Sequence, residues 1–212
     1  MDIKFFENDQ RLVHGEISVD NSLVPPAAYG TYSIRLPNDS LSNDALGKIK
    51  IMLWSCMDRR AIRPLYDELL KKYPPQEALV ISMGGGPIQV GQERITGIKN
   101  AFTELAPKLP NLEKIWAVAH TKTCGGLKYF CGGKPITEVL KSEIAQQANT
   151  QAQDVELYAT QIILPQALEL VPVAWKKMVE FAVAEPDEIN KTVIIHQQPA
   201  LLVSQPLSEI IN

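Results

Sequence analysis

The 212-residue chain lacks the features that would direct it to a membrane, a nucleic acid or the secretory route. No apolar run approaches the roughly 18 residues needed to span a bilayer. The first ten residues do not combine a basic start with an apolar run, as a signal peptide does. The net charge is only −3, and acidic and basic residues are interspersed. We therefore expect a cytoplasmic protein that binds neither nucleic acid nor membrane.

Cysteine and histidine are both scarce, with three of each in the chain. Thiols stay reduced in the cytoplasm, so these cysteines are expected to be metal ligands, nucleophiles or packing residues rather than disulfide partners. Hydrophobic residues make up 45% of the sequence, which is sufficient for one sizeable core. The sequence contains no internal repeat and no low-complexity segment.

In the middle of the chain, short apolar runs alternate with amphipathic patterns. The apolar runs predict four buried strands, at residues 49–55, 78–83, 114–119 and 155–164. Apolar residues at helical spacing predict three intervening helices, at residues 62–73, 95–105 and 135–144. This alternation implies right-handed crossovers. It predicts an α/β fold with a central, mainly parallel sheet of order 2-1-3-4 and helices on both faces.

The two ends of the chain carry weaker patterns. Residues 1–47 are rich in Asn, Asp, Ser and Pro, and they predict an N-terminal arm or extension with short strands near residues 13–19 and 32–34. The C-terminal part predicts a helix interrupted by Pro172, a short strand at residues 192–196 and a peripheral tail. The expected division is an extension, an α/β core and a C-terminal segment, at residues 1–47, 48–165 and 166–212.

Three potential metal ligands fall at the ends of strands that we expect to be neighbours. Cys56 follows the first strand, His120 follows the third, and Cys124 lies in the loop after it. In an open parallel sheet, sites form beyond the carboxyl ends of the strands, where the strand order reverses. Two thiolates and one imidazole suit Zn²⁺, and three protein ligands leave the open fourth position of a catalytic site. The alternative is ordinary packing, because free cysteines are often buried.

Asp58 and Arg60 follow Cys56 closely. A carboxylate two residues from a ligand can reach the metal or its bound water, and Arg60 can hold that carboxylate by a two-pronged hydrogen bond. In the alternative interpretation, Asp58 is only the N-cap of the following helix and the arginine lies outside. Next to Cys56 we favour the first interpretation.

These residues resemble the signature of the β-class carbonic anhydrase family, which is Cys-x-Asp-x-Arg after the first strand and His-x-x-Cys-Gly after the third. Residues 56–60 (Cys-Met-Asp-Arg-Arg) match the first part in full. Residues 120–126 (His-Thr-Lys-Thr-Cys-Gly-Gly) match the second, except that three residues rather than two separate histidine from cysteine. The similarity covers about residues 48–165.

The resemblance implies an enzyme that reversibly hydrates carbon dioxide to bicarbonate by a zinc-bound hydroxide, usually as a homodimer or higher homo-oligomer. It implies that Cys56, His120 and Cys124 hold Zn²⁺. It also implies that Arg60 keeps Asp58 off the metal, while Asp58 accepts a hydrogen bond from the zinc-bound water. In the inactive form of the family, the aspartate can occupy the fourth zinc position itself.

Some assignments retain alternatives. Cys131, in a second Cys-Gly-Gly, is a lower-ranked candidate for the place of Cys124. The glycine run after the second strand, together with Gly125, is expected to line the pocket; the run comprises Gly84, Gly85 and Gly86. A tight turn that needs positive φ is an equally good interpretation of that run.

Two other functions are compatible with the same residues. Within the family resemblance, the scaffold also serves hydrolases of carbonyl sulfide and carbon disulfide. The second alternative is a non-catalytic zinc-binding protein, which the three-residue spacing after His120 and the unusual N-terminal sequence favour slightly.

Overall fold

The computed structural model describes residues 2–8, 12–18, 43–89, 91–122, 124–151 and 154–198. The strands of these ranges are β1 (Asp2–Asn8), β2 (Leu12–Ser18), β3 (Ile51–Cys56), β4 (Ala78–Met83), β5 (Lys114–His120), β6 (Val179–Asp187) and β7 (Thr192–Gln197). The α-helices are α1 (Asn43–Leu46), α2 (Arg59–Leu70), α3 (Gln92–Leu105), α4 (Gly125–Phe130), α5 (Ile136–Val139), α6 (Ser142–Thr150) and α7 (Val155–Ile163). Short 3₁₀ turns join several of them, at Pro75–Glu77, Ala106–Lys108, Leu164–Glu169 and Val173–Met178.

All the described strands belong to one sheet of order β1-β2-β4-β3-β5-β6-β7. The four central strands, β4-β3-β5-β6, are parallel to one another, and β2 is parallel to β4. The outer strands β1 and β7 pair antiparallel with their neighbours. The central order is 2-1-3-4 when its strands are counted along the chain, so the predicted α/β fold is confirmed.

The fourth parallel strand comes from a different segment than predicted. Residues 155–163 form helix α7 instead of a strand, and residue 164 begins a 3₁₀ turn. Asp154 caps the first turn of α7 by accepting a hydrogen bond from the Leu157 amide (2.9 Å). A short apolar run does not distinguish a buried helix from a buried strand by periodicity alone. Strand β6 occupies the place in the sheet that was predicted for residues 155–164. In the sequence it begins where we expected the end of the C-terminal helix, because the chain beyond Pro172 makes only a 3₁₀ turn before the strand.

The other expected elements agree with the structure to different degrees. The first two predicted helices are α2 and α3, whereas the third is divided into the short helices α5 and α6. Strand β7 confirms the predicted C-terminal strand, and β2 lies in the predicted strand region at residues 13–19. Residue 19, the expected strand at residues 32–34 and the tail beyond residue 198 lie outside the described residues. The division into three segments stays a prediction, although the sheet takes strands from all three.

Strands β3 and β4 are buried along their whole lengths because helices cover both faces of the sheet. On one face Trp54 packs edge-on against Phe102 of α3, with ring centroids 4.9 Å apart. On the other face Leu53 packs with Leu65 of α2. This packing presents the carboxyl ends of β3 and β5 at one edge of a rigid core. Within the described ranges, no helix combines the length and apolarity that crossing a membrane requires.

Candidate metal centre

The parallel register places two of the expected ligands side by side. Strand β3 ends at Cys56 and β5 ends at His120, and Ser55 of the first strand is paired with Val118 of the second. Cys124 directly precedes α4. The ligand atoms of the three residues all lie within 4.8 Å of one another, and the three residues are buried. The structure therefore forms one group from residues that are 64 and four positions apart in sequence.

The imidazole of His120 is held in the tautomer that a metal ligand needs. A carbonyl oxygen only accepts hydrogen bonds, so Nδ1–H of His120 donates to the carbonyl oxygen of Thr121 (2.8 Å). This leaves a lone pair on Nε2, which is buried and has no hydrogen-bond partner among the described residues. A buried polar atom without a partner is costly, and a bound cation would remove that cost.

The two thiols of the group are coupled. Hydrogen bonding to Cys124, reinforced by burial, raises the pKa of Cys56 well above its usual value, while the same bond from Cys56 lowers the pKa of Cys124. Two thiolates this close repel each other, so the pair titrates as a unit. A divalent cation stabilises both thiolates, and soft sulfur with one imidazole nitrogen is a donor set that zinc prefers. The residues of this chain therefore fit a zinc ion.

Asp58 combines the two roles that were alternatives from sequence. It is the N-cap of α2, because its Oδ1 accepts from the Arg60 amide (2.9 Å). The Arg60 guanidinium also donates twice to the same carboxylate, from Nε to Oδ1 (3.1 Å) and from Nη2 to Oδ2 (2.7 Å). Although burial opposes ionisation, these bonds lower the pKa of Asp58 overall. Its Oδ2 lies 3.9 Å from Nε2 of His120, so an ionised carboxylate borders the ligand group.

The guanidinium of Arg60 makes two further contacts that were not predicted from the sequence. Its Nη1 donates to Oε1 of Glu188 (2.8 Å), in the turn between β6 and β7, and its Nη2 donates to the carbonyl oxygen of Lys122 (3.1 Å). Glu188 is 128 positions away from Arg60 in sequence, and no local pattern signals such a partner. The sequence did contain an indication that Lys122 is unusual, because this residue lies in the three-residue segment whose length departs from the family spacing.

The glycine run of residues 84–86 forms a tight turn in which Gly85 and Gly86 have φ of 83° and 56°. A Cβ on Gly86 would lie 2.5 Å from the backbone nitrogen of Cys56, so glycine allows the turn to pack directly against the ligand-bearing strand. Gly126, which sequence reasoning left without a role, makes a similarly close approach to Gly85. The turn interpretation therefore has a physical basis, and a pocket-lining role for Gly84, Gly85, Gly86 and Gly125 stays a prediction.

Cys131 lies outside the ligand group. It is a buried free thiol that packs with Leu127 and Ile136, and burial raises its pKa to about 11. Among the described residues, the cluster that could hold a metal contains Cys124 and not Cys131. The longer spacing after His120 therefore does not prevent Cys124 from reaching the group.

Comparisons with known proteins yield a structural likeness and no family assignment. No protein-family model matches the chain, and no curated protein matches it. Among solved structures it is similar to the β-carbonic anhydrase isoform I of the protozoan Trichomonas vaginalis, with 17% identity, a TM-score of 0.33, and coverage of 68% of this chain and 80% of that one. A likeness at this TM-score carries no argument about fold or function, which rest on the strand order and the site geometry.

Proposed function

We propose that this protein is a zinc enzyme of the β-carbonic-anhydrase type that reversibly hydrates carbon dioxide to bicarbonate. The single observation that carries the proposal is the buried group of Cys56, His120 and Cys124, with Nε2 of His120 left without a hydrogen-bond partner. The three residues would hold the ion through two sulfurs and one nitrogen. Zinc in such a site supplies Lewis acidity, which lowers the pKa of a coordinated water from 15.7 to about 7.

Asp58 provides the second part of the proposed mechanism. The bonds from Arg60 keep its carboxylate ionised, and an ionised carboxylate only accepts hydrogen bonds. Its Oδ2 borders the ligand group, where it would accept a hydrogen bond from the reacting water and so orient the oxygen lone pair toward carbon dioxide. Arg60 would restrain Asp58, because two of its donors face the two carboxylate oxygens at once.

The proposal requires metal binding and turnover to be measured on the same preparation. We expect about one zinc per chain, with hydration of carbon dioxide in a stopped-flow pH-indicator assay. Zinc without this activity would contradict the proposed reaction. In that case, turnover of carbonyl sulfide or carbon disulfide would identify the related hydrolase, and no turnover of any of the three would identify a zinc-binding protein.

A matched pair of cysteine variants tests the ligand set. Cys56→Ser removes a thiolate ligand, and we expect zinc affinity to fall by more than about 100-fold, since even outer-shell partners contribute about 10- to 100-fold. Cys131→Ser also changes a buried thiol, but one outside the group, and it should keep full zinc content. Full zinc retention in Cys56→Ser, or major loss in Cys131→Ser, would refute the assignment.

A further inference from the structure

The residue midway between His120 and Cys124 has an unusual backbone conformation. Lys122 has φ of 59°, in the left-handed region that non-glycine residues rarely adopt. Such a conformation persists only where surrounding contacts determine it, and it often occurs near functional sites. The contacts of Lys122 therefore indicate what this conformation achieves.

Lys122 is held by two structural elements that are distant from it in sequence. Its amide donates to Oε1 of Glu156 on α7 (3.0 Å). Its ammonium group donates to the carbonyl oxygen of Pro186 in β6 (2.9 Å) and forms an ion pair with Glu185 on the same strand (3.1 Å). These contacts fix both the backbone and the side chain of Lys122, even though the side chain is about half exposed.

The carbonyl group of Lys122 connects this anchored segment to the candidate site through Arg60. The Lys122 oxygen accepts from Nη2 of Arg60 (3.1 Å), the nitrogen that also donates to Oδ2 of Asp58 (2.7 Å). Glu188 holds the other terminal nitrogen of the guanidinium. The Arg60 fork is thereby fixed in the orientation that restrains Asp58, and Asp58 borders the ligand group.

We propose that Lys122 is a positioning residue, which anchors its left-handed backbone on β6 and α7 so that its carbonyl oxygen orients Arg60 and, through it, Asp58. The consequence for catalysis rests on the proposed function. The orientation of Arg60 does not, and it can be measured in a protein with or without turnover.

The test uses Lys122→Met, which keeps the aliphatic stem and removes the ammonium group, and Lys122→Arg, which restores a cation. The control is Lys176→Met: Lys176 also forms an ion pair, with Glu169 (3.5 Å), but it lies just before β6, at the opposite end of that strand from the ligand group. The first readout is the ¹H–¹⁵N NMR signal of the Arg60 Nε–H, identified by its loss in Arg60→Lys. The second is kcat and KM for hydration of carbon dioxide, with zinc content measured for each variant.

We expect Lys122→Met to shift the Arg60 Nε–H signal and lower kcat by roughly tenfold, equivalent to about 1.4 kcal/mol, with KM and zinc content little changed. Lys122→Arg should recover both readouts, and Lys176→Met should leave both at wild-type values. An unmoved Arg60 signal in Lys122→Met would overturn the proposal, as would a shifted signal with unchanged kcat. Absence of turnover in the wild type would instead refute the proposed function, and the NMR signal would still decide whether Lys122 positions Arg60.

Discussion

Replacement of Gly126 by alanine would test the close packing beside the candidate metal centre. An ideal Cβ at this position lies 2.2 Å from Cα of Gly85 and 3.1 Å from the carbonyl oxygen of Ile88. Both neighbours are backbone atoms, so no side-chain rotation can relieve the contact. Either α4 or the turn after β4 must move, and that turn packs directly on the backbone of Cys56.

Two opposing effects determine the magnitude. Alanine is favoured over glycine inside a helix by about 1 kcal/mol, whereas overpacking a tight site costs about 1 to 3 kcal/mol. Since the contact is far below van der Waals distance and lies between backbones, we place the cost at or above the upper end. The expected net result is a loss of about 2 kcal/mol in the free energy of unfolding.

Gly125 provides the matched control for this substitution. It is the adjacent residue of the same helix, it is exposed, and an added Cβ meets nothing within 4 Å. Gly125→Ala should therefore be neutral or stabilising by up to about 1 kcal/mol. Both variants are compared with the wild type by urea unfolding at one fixed zinc concentration, because a bound ion stabilises the native state. Equal stability of Gly126→Ala and Gly125→Ala would refute the reasoning.

Three further predictions concern the Asp58 carboxylate and the core beneath the sheet. Asp58→Asn, which retains the N-cap, should keep zinc but lower kcat for carbon dioxide hydration by about 100-fold or more; unchanged kcat would remove Asp58 from the mechanism. The bonds from Arg60 lower the folded-state pKa of Asp58, so their stabilisation is complete above the unfolded value of about 3.9 and disappears as the pH falls through the folded-state pKa. Urea unfolding should therefore show the stability difference between wild type and Asp58→Asn shrinking across that acid range, and a constant difference would contradict this. Phe102→Ala should cost about 3 to 5 kcal/mol in urea unfolding, because the ring is fully buried against Trp54; a loss below about 1 kcal/mol would contradict the packing.

Most of the central sheet was predictable because its strands are short, apolar and buried on both faces. Strands β3, β4 and β5 are separated by amphipathic helices, and this alternation restricts the topology to a few arrangements. The fourth parallel strand was not predictable by the same rule. Strand β6 contains charged residues and Pro186 and is only partly buried, whereas helix α7 is a compact apolar run whose main helix signal is the Asp154 cap.

The ligand group was predictable for a topological reason. When two parallel strands are adjacent, the residues at their carboxyl ends meet, so the order 2-1-3-4 brings Cys56 and His120 together. The restraint on Asp58 follows no such rule, because it depends on Glu188 in a distant turn and on the backbone angle of Lys122. Strand order predicts which candidate ligands meet, because that depends only on which strand ends are adjacent. The orientation of a carboxylate depends on hydrogen bonds of defined direction, and the partners that supply them come together only in the folded chain.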